Sequence, residues 1–123
     1  YQIVAFMKSD IATRMERVGR QGKIHREQQF VFSMKANEIR PDFMSEEPIL
    51  VQGIIDCFFE EDGQIVIVDY KTDHIPKENG EEILRSRYKV QLDYYQRAIE
   101  QTTGKKVSQR ILYSFALQKE VEV

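Results

Sequence analysis

The stretch from Gly53 to Lys71 places three charged residues, Asp56, Asp69 and Lys71, where two strands would otherwise be apolar, and the elements on either side are arranged around it. Both of its halves are rich in Ile, Val and Phe, and the Glu60-Glu61-Asp62-Gly63 segment between them carries the acidic residue plus glycine that a tight hairpin prefers. Two antiparallel strands are therefore expected. Alternation puts Ile65, Ile67, Asp69 and Lys71 on one face and Val66, Val68 and Tyr70 on the other, while Asp56 shares a face with Ile54 and Phe58 in the partner strand.

Upstream, Met7, Ile11, Met15 and Val18 stand at helical spacing, which predicts a helix over 6–18 that ends at Gly19 and Gly22. The stretch 24–34 alternates in its second half and predicts an edge or next-to-edge strand, with Phe30, Phe32 and Met34 on one side. The polar segment 37–48 holds two of the three prolines and reads as a connection, as does 72–80 with Pro76 and an Asn-Gly pair. Glu81 opens the longest helix, running to about Thr103 with Gly104 as its terminator. The apolar stripe of that helix comprises Leu84, Tyr88, Leu92, Tyr95, Ala98 and Ile99, and Gln91 and Tyr95 place polar groups one turn apart on it. A last strand is expected over 107–117, with Val107, Gln109, Ile111, Tyr113, Phe115 and Leu117 on one side. This order of elements gives an α/β class, a mixed β-sheet flanked by helices.

Composition narrows the function. The chain has 123 residues, enough for one domain with a genuine core and too few for two. No apolar run is long enough to cross a bilayer as a helix, and no secretory signal pattern opens the chain. A start at Tyr1, in the middle of a patterned segment, reads as a piece of a longer protein. One cysteine, Cys57, excludes an internal disulfide, a zinc ribbon and a four-cysteine iron–sulfur site, and fits a reducing, cytosolic setting. A net charge of −2 supplies no global field for DNA, so any nucleic-acid contact comes from a local patch or through a metal.

Folding the hairpin at Asp62-Gly63 brings Asp56 towards the level of Asp69, since cross-strand neighbours lie about 5 Å apart. Two carboxylates and the Lys71 ammonium then converge at the end of an apolar hairpin. Burying such charges is unfavourable unless a counter-charge offsets it, and a divalent cation between the carboxylates is the simplest reason for them. Neutralisation by Lys71 alone is the competing reading.

The run G-I-I-D from Gly53 to Asp56, then D-Y-K-T-D from Asp69 to Asp73, then Q-L-D-Y-Y from Gln91 to Tyr95, resembles the nuclease motifs of the RecB family within the PD-(D/E)XK superfamily. It looks most like the C-terminal nuclease domain of AddA-type helicase-nuclease subunits. The resemblance covers nearly the whole chain. It implies a restriction-endonuclease-like core and a Mg2+-dependent deoxyribonuclease, a DNA exonuclease, with Mn2+ able to substitute. Asp56 and Asp69 would anchor the metal, with the main-chain carbonyl of Tyr70 as a further ligand. Lys71 would orient the attacking water or stabilise the charged phosphorane, and Gln91 and Tyr95 would hold Lys71, the water or a backbone phosphate. The implied setting is a bacterial, nucleoid-associated cytoplasmic enzyme that processes double-strand ends for recombinational repair. Its implied partners are DNA, the helicase portion of the same polypeptide and an AddB-like second subunit. No G-x-x-x-x-G-K-[ST] occurs, so an ATP-driven motor lies outside this stretch.

The family also takes a metal ligand from a histidine in a G-T-x-x-H type motif on an N-terminal helix, and that motif is not in this sequence. The domain 1–123 is therefore expected to be a piece of a larger helicase-nuclease, starting downstream of that helix. His25 reads as an ordinary strand residue, Glu27 as a supporting residue rather than a ligand, and His74 as a solvated loop residue. Gln91 has a rival reading as a structural hydrogen-bonder and Tyr95 as plain core. Thr72 and Asp73 are expected to shape the turn after the strand. Arg85, Arg87, Lys89, Arg97, Lys105 and Lys106 are candidates for phosphate contacts or for a wet face, and Cys57 reads as a small buried hydrophobe. Two further functional readings stay open: a degenerate module of the same fold that only binds DNA or serves in subunit docking, and a different nuclease of that fold, such as a CRISPR-associated or phage recombination exonuclease.

Overall fold

The Asp62-Gly63 turn forms as its sequence demands. A computed structural model of the chain describes residues 2–39 and 46–123, and in it Asp62 (φ 55) and Gly63 (φ 78) both lie in the left-handed region, which suits a two-residue hairpin turn. The turn joins β2 (Pro48–Glu61) to β3 (Gln64–Lys71), antiparallel from Glu61 opposite Gln64 to Cys57 opposite Val68. On its other side β2 pairs antiparallel along its length with β1 (Ile24–Lys35), which forms the sheet edge.

Behind β3 the chain crosses over through α4 (Gly80–Thr103) and returns as β4 (Val107–Ser114), parallel to β3. α4 stops where Gly104 adopts φ 71 and its N–H reaches the Glu100 carbonyl. A short β5 (Lys119–Glu122) pairs antiparallel with β4 and completes the five-stranded mixed sheet, in the order β1-β2-β3-β4-β5. One face, with Ile55, Phe58, Ile65 and Ile67, packs on Leu84, Leu92, Tyr95 and Ile99 of α4. The other, with Cys57, Phe59, Val66 and Val68, is covered by Ile11, Met15 and Val18 of α2 (Asp10–Gly19). Phe32 and Met34 of β1 pack on Ala98, on the side expected of them.

Several expectations need correcting. The segment 6–18 is not one helix: α1 (Gln2–Met7) precedes α2, and the break falls at Ser9. The Ser9 Oγ accepts from the Ala12 N–H at 3.2 Å and donates to the Phe6 carbonyl at 2.6 Å, so a side chain does the hydrogen bonding that a continuous helix would do with its backbone. Met7 consequently leaves the buried stripe and is 69% exposed. The final strand ends at Ser114 rather than Leu117, because the Ser114 Oγ accepts from the Leu117 N–H at 3.0 Å in a turn that feeds β5. An irregularity between Ile65 and Val66 also shifts the register, so Val107 packs towards α4 while Ile111 and Tyr113 face α2. In β2 the buried neighbour of Phe58 is Ile55, and Ile54 is exposed. Of the connection expected over 37–48, residues 40–45 lie outside the described residues; α3 (Ala36–Ile39) precedes them, and Pro48 already belongs to β2.

Candidate active site

β3 carries its apolar residues up to Val68 and then presents Asp69 and Lys71 towards α4, while the ring of Tyr70 turns to the opposite face against Phe6 (5.4 Å between centroids) and Phe115 (6.1 Å). Only the main chain of Tyr70 is left for the Asp69 side. The β2–β3 ladder ends one residue before Asp56, and there the Asp56 Oδ2 accepts the Tyr70 N–H at 2.9 Å. Asp56 thus continues the strand pairing with a side chain.

Asp69 is 2% exposed. Burial, followed by the hydrogen bond with Asp56, pushes its carboxyl up to about 7, against the pull of Lys71. The Lys71 Nζ stands 2.7 Å from Asp69 Oδ2 and forms an ion pair with it. Gln91 Oε1 accepts from Lys71 Nζ at 3.1 Å. Tyr95, 7% exposed, has its hydroxyl pushed up to about 12 by burial and by the nearby charges of Asp69 and Asp56. Asp56, Asp69, Lys71, Gln91 and Tyr95 therefore meet at the carboxyl end of β3 under the middle of α4, where open α/β sheets place their ligands.

This donor set fits a divalent cation. Two carboxylates supply hard oxygens, and Asp69 is buried with one ammonium, Lys71, set against the pair, which leaves negative charge for a cation to balance. Among the described residues no third His, Cys, Asp or Glu joins them. His25 stacks on Phe58 at 4.7 Å in β1, His74 is exposed in the loop, and Glu27, opposite Asp56 with φ 51, is exposed. Cys57 is buried facing α2, its thiol pushed up to about 11 by burial.

Three features were missed or misjudged from sequence. Asp73 does more than shape a turn: its Oδ2 accepts from the Tyr88 hydroxyl at 2.7 Å and from Arg87 Nη1 at 2.6 Å. Tyr88, read only as part of the stripe, lies with its ring centroid 4.0 Å from Lys71 Nζ. Its position three residues before Gln91, on the same helix face, was the available signal. Gly53 belongs to the site through packing, since a Cβ there would lie 2.9 Å from Phe30 Cζ, and Phe30 meets Tyr95 edge to face at 5.4 Å. The basic run on α4 and just beyond its end is largely engaged in local ion pairs: Arg85 with Glu81, Arg87 with Asp73, Lys89 with Asp93, Arg97 with Glu38 and Lys105 with Glu60.

The model of the PD-(D/E)XK nuclease superfamily matches residues 3–122. The chain is 46% identical over 125 residues to an ATP-dependent helicase/nuclease subunit of Clostridium botulinum (strain Alaska E43 / Type E3), covering 98% of this chain and 10% of that protein. The ATP-dependent helicase/nuclease subunits of Clostridium novyi (strain NT) and Clostridium perfringens (strain ATCC 13124) are 44% and 38% identical, covering 99% and 100% of this chain and 10% of each relative. The chain thus spans about a tenth of the length of these curated relatives.

Proposed function

The chain belongs to the PD-(D/E)XK nuclease superfamily, and from that premise we propose that it is the metal-dependent deoxyribonuclease domain of a bacterial helicase-nuclease, hydrolysing phosphodiester bonds by attack of water. The observation that carries this reading is the meeting of Asp56, Asp69 and Lys71 at one strand end, two carboxylates against one ammonium with Asp69 buried. Asp56, Asp69 and the Tyr70 main-chain carbonyl would hold Mg2+ or Mn2+. When bound, the metal supplies charge neutralisation at the phosphate and acidifies a coordinated water.

The protein's own groups do the rest. Lys71 carries a fixed positive charge to the place where charge develops on the phosphorane or where the attacking water sits. Gln91 orients that ammonium by accepting its hydrogen bond at 3.1 Å. Tyr95 keeps its proton, with its hydroxyl held high near both carboxylates, and so serves as a donor. By analogy with the helicase/nuclease relatives, the parent protein works on DNA ends in the cytoplasm with an ATP-driven helicase portion and an AddB-like partner. Among the described residues no helix is long and apolar enough to cross a membrane.

In the full-length protein, Asp69→Ala is expected to abolish Mg2+-dependent strand cleavage and leave ATP hydrolysis largely intact. Product analysis on a labelled duplex, beside a phosphate-release assay, makes the test. Loss of both activities together would mark Asp69 as structural.

A further inference from the structure

Lys71 is held from three sides, and only one holder is a candidate cation ligand. Asp69 Oδ2 lies 2.7 Å from the ammonium, Gln91 Oε1 3.1 Å, and the Tyr88 ring centroid 4.0 Å. When Asp69 shares its charge with a cation, its hold on Lys71 weakens. Gln91 accepts one hydrogen bond from the ammonium and, being neutral, replaces little of the charge attraction that Asp69 gives up. The ring of Tyr88 adds a further attraction, and it acts on a lysine whose side chain is only 15% exposed, where a cation–π contact is least weakened by water.

Tyr88 is itself fixed. Its hydroxyl donates to Asp73 Oδ2 at 2.7 Å, and Arg87 Nη1 holds the same oxygen at 2.6 Å. A phenol donating to a carboxylate has a more electron-rich ring, which strengthens its pull on a cation. Asp73 follows Lys71 by two residues, so the loop leaving β3 is tied to the helix that carries Gln91. From this geometry we propose that Tyr88, anchored by Asp73, is a positioning residue that keeps the Lys71 ammonium in place while Asp69 is engaged with the metal. The proposal rests on the nuclease reading above and adds to it a residue outside the acidic pair, the lysine and the Gln91–Tyr95 pair.

The test uses the full-length protein and variants whose thermal midpoints match the parent's. In Mg2+ without DNA, amine acylation followed by mass spectrometry reads Lys71 directly while Asp69 is engaged, with exposed Lys89 as the internal reference. Tyr88→Leu is expected to raise Lys71 labelling several-fold, whereas Tyr88→Phe, which keeps the ring and loses its bond to Asp73, raises it less. With Mg2+ and a labelled DNA duplex, Tyr88→Leu is expected to lower kcat roughly 10-fold while KM and the half-saturating Mg2+ concentration stay put. Tyr88→Phe recovers part of that loss. In a Lys71→Ala background, Tyr88→Leu should have no further effect, since its action runs through the lysine. An equal loss in both backgrounds, or unchanged Lys71 labelling in Tyr88→Leu, would overturn the proposal. Absence of Mg2+-dependent cleavage by the parent would instead sink the nuclease reading and every catalytic role with it, and the labelling would still decide whether the ring restrains Lys71.

Discussion

A carboxyl group hidden from water beside another carboxyl group gives up its proton late. Asp69 is in that position: burial and its hydrogen bond to Asp56 raise it from 3.8 to about 7. Between those values the folded chain holds a proton that the unfolded chain has released, so the contribution of Asp69 to stability falls as pH rises through that window. A divalent cation binds the ionised form and reverses the trend. The thermal midpoint of the metal-free protein, measured against Asp69→Asn, is therefore expected to fall between pH 5 and pH 8, and Mn2+ should restore it at pH 8 in the parent alone. A difference that does not move with pH would contradict the burial argument. Gly53 acts at the same scale by having no side chain. Gly53→Ala places a methyl 2.9 Å from Phe30 Cζ and drives that ring towards Tyr95, for an expected loss of about 1–3 kcal/mol. Denaturant unfolding reads the loss, and Phe30→Leu in the same chain should recover most of it.

Among the elements, α2 shows how a cap and a few ion pairs place a helix that serves the site without touching it. The break at Ser9 lets α1 turn Phe6 onto Tyr70 and Tyr113, which fixes the strand residue between Asp69 and Lys71. Arg14 and Arg17 then bind Glu61 at 2.8 and 2.9 Å, clamping α2 to the hairpin, and these guanidinium groups hold the Glu61 carboxyl below its ordinary range. That contribution is present at neutral pH and is lost as acid protonates Glu61. Ser9→Ala is expected to reduce stability by about 1 kcal/mol. Hydrogen exchange should show the α2 amides opening before those of α4, and equal opening of both helices would deny the cap its local role.

At the scale of the molecule, the sheet is held between α4 on one face and α2 on the other, and the candidate site lies where β3 and the β2–β3 ladder run out. Leu92, fully buried on α4, lies one residue from Gln91 and anchors the helix that delivers Gln91, Tyr88 and Tyr95. Leu92→Ala is expected to cost about 2–5 kcal/mol. Because the site's geometry depends on that packing, calorimetry should show a lower midpoint and a weaker Mn2+-induced rise in it.

By itself the sequence determined the hairpin, the long helix, the return strand after it and the spacing of Asp56, Asp69, Lys71, Gln91 and Tyr95. Each of these follows from a local rule: alternation along a strand, helical spacing on one stripe, or a turn only certain residues can make. The tertiary structure alone decided that Asp56 takes the Tyr70 amide, that Asp73 and Tyr88 close around Lys71, and that Gly53 leaves room for Phe30. It also decided the break at Ser9 and the separate β5, where one side-chain oxygen competes with the backbone. Periodicity assigns a residue to a face, but which side chains meet across that face depends on how far each strand runs and how the helix is set against the sheet, and neither is encoded within one element.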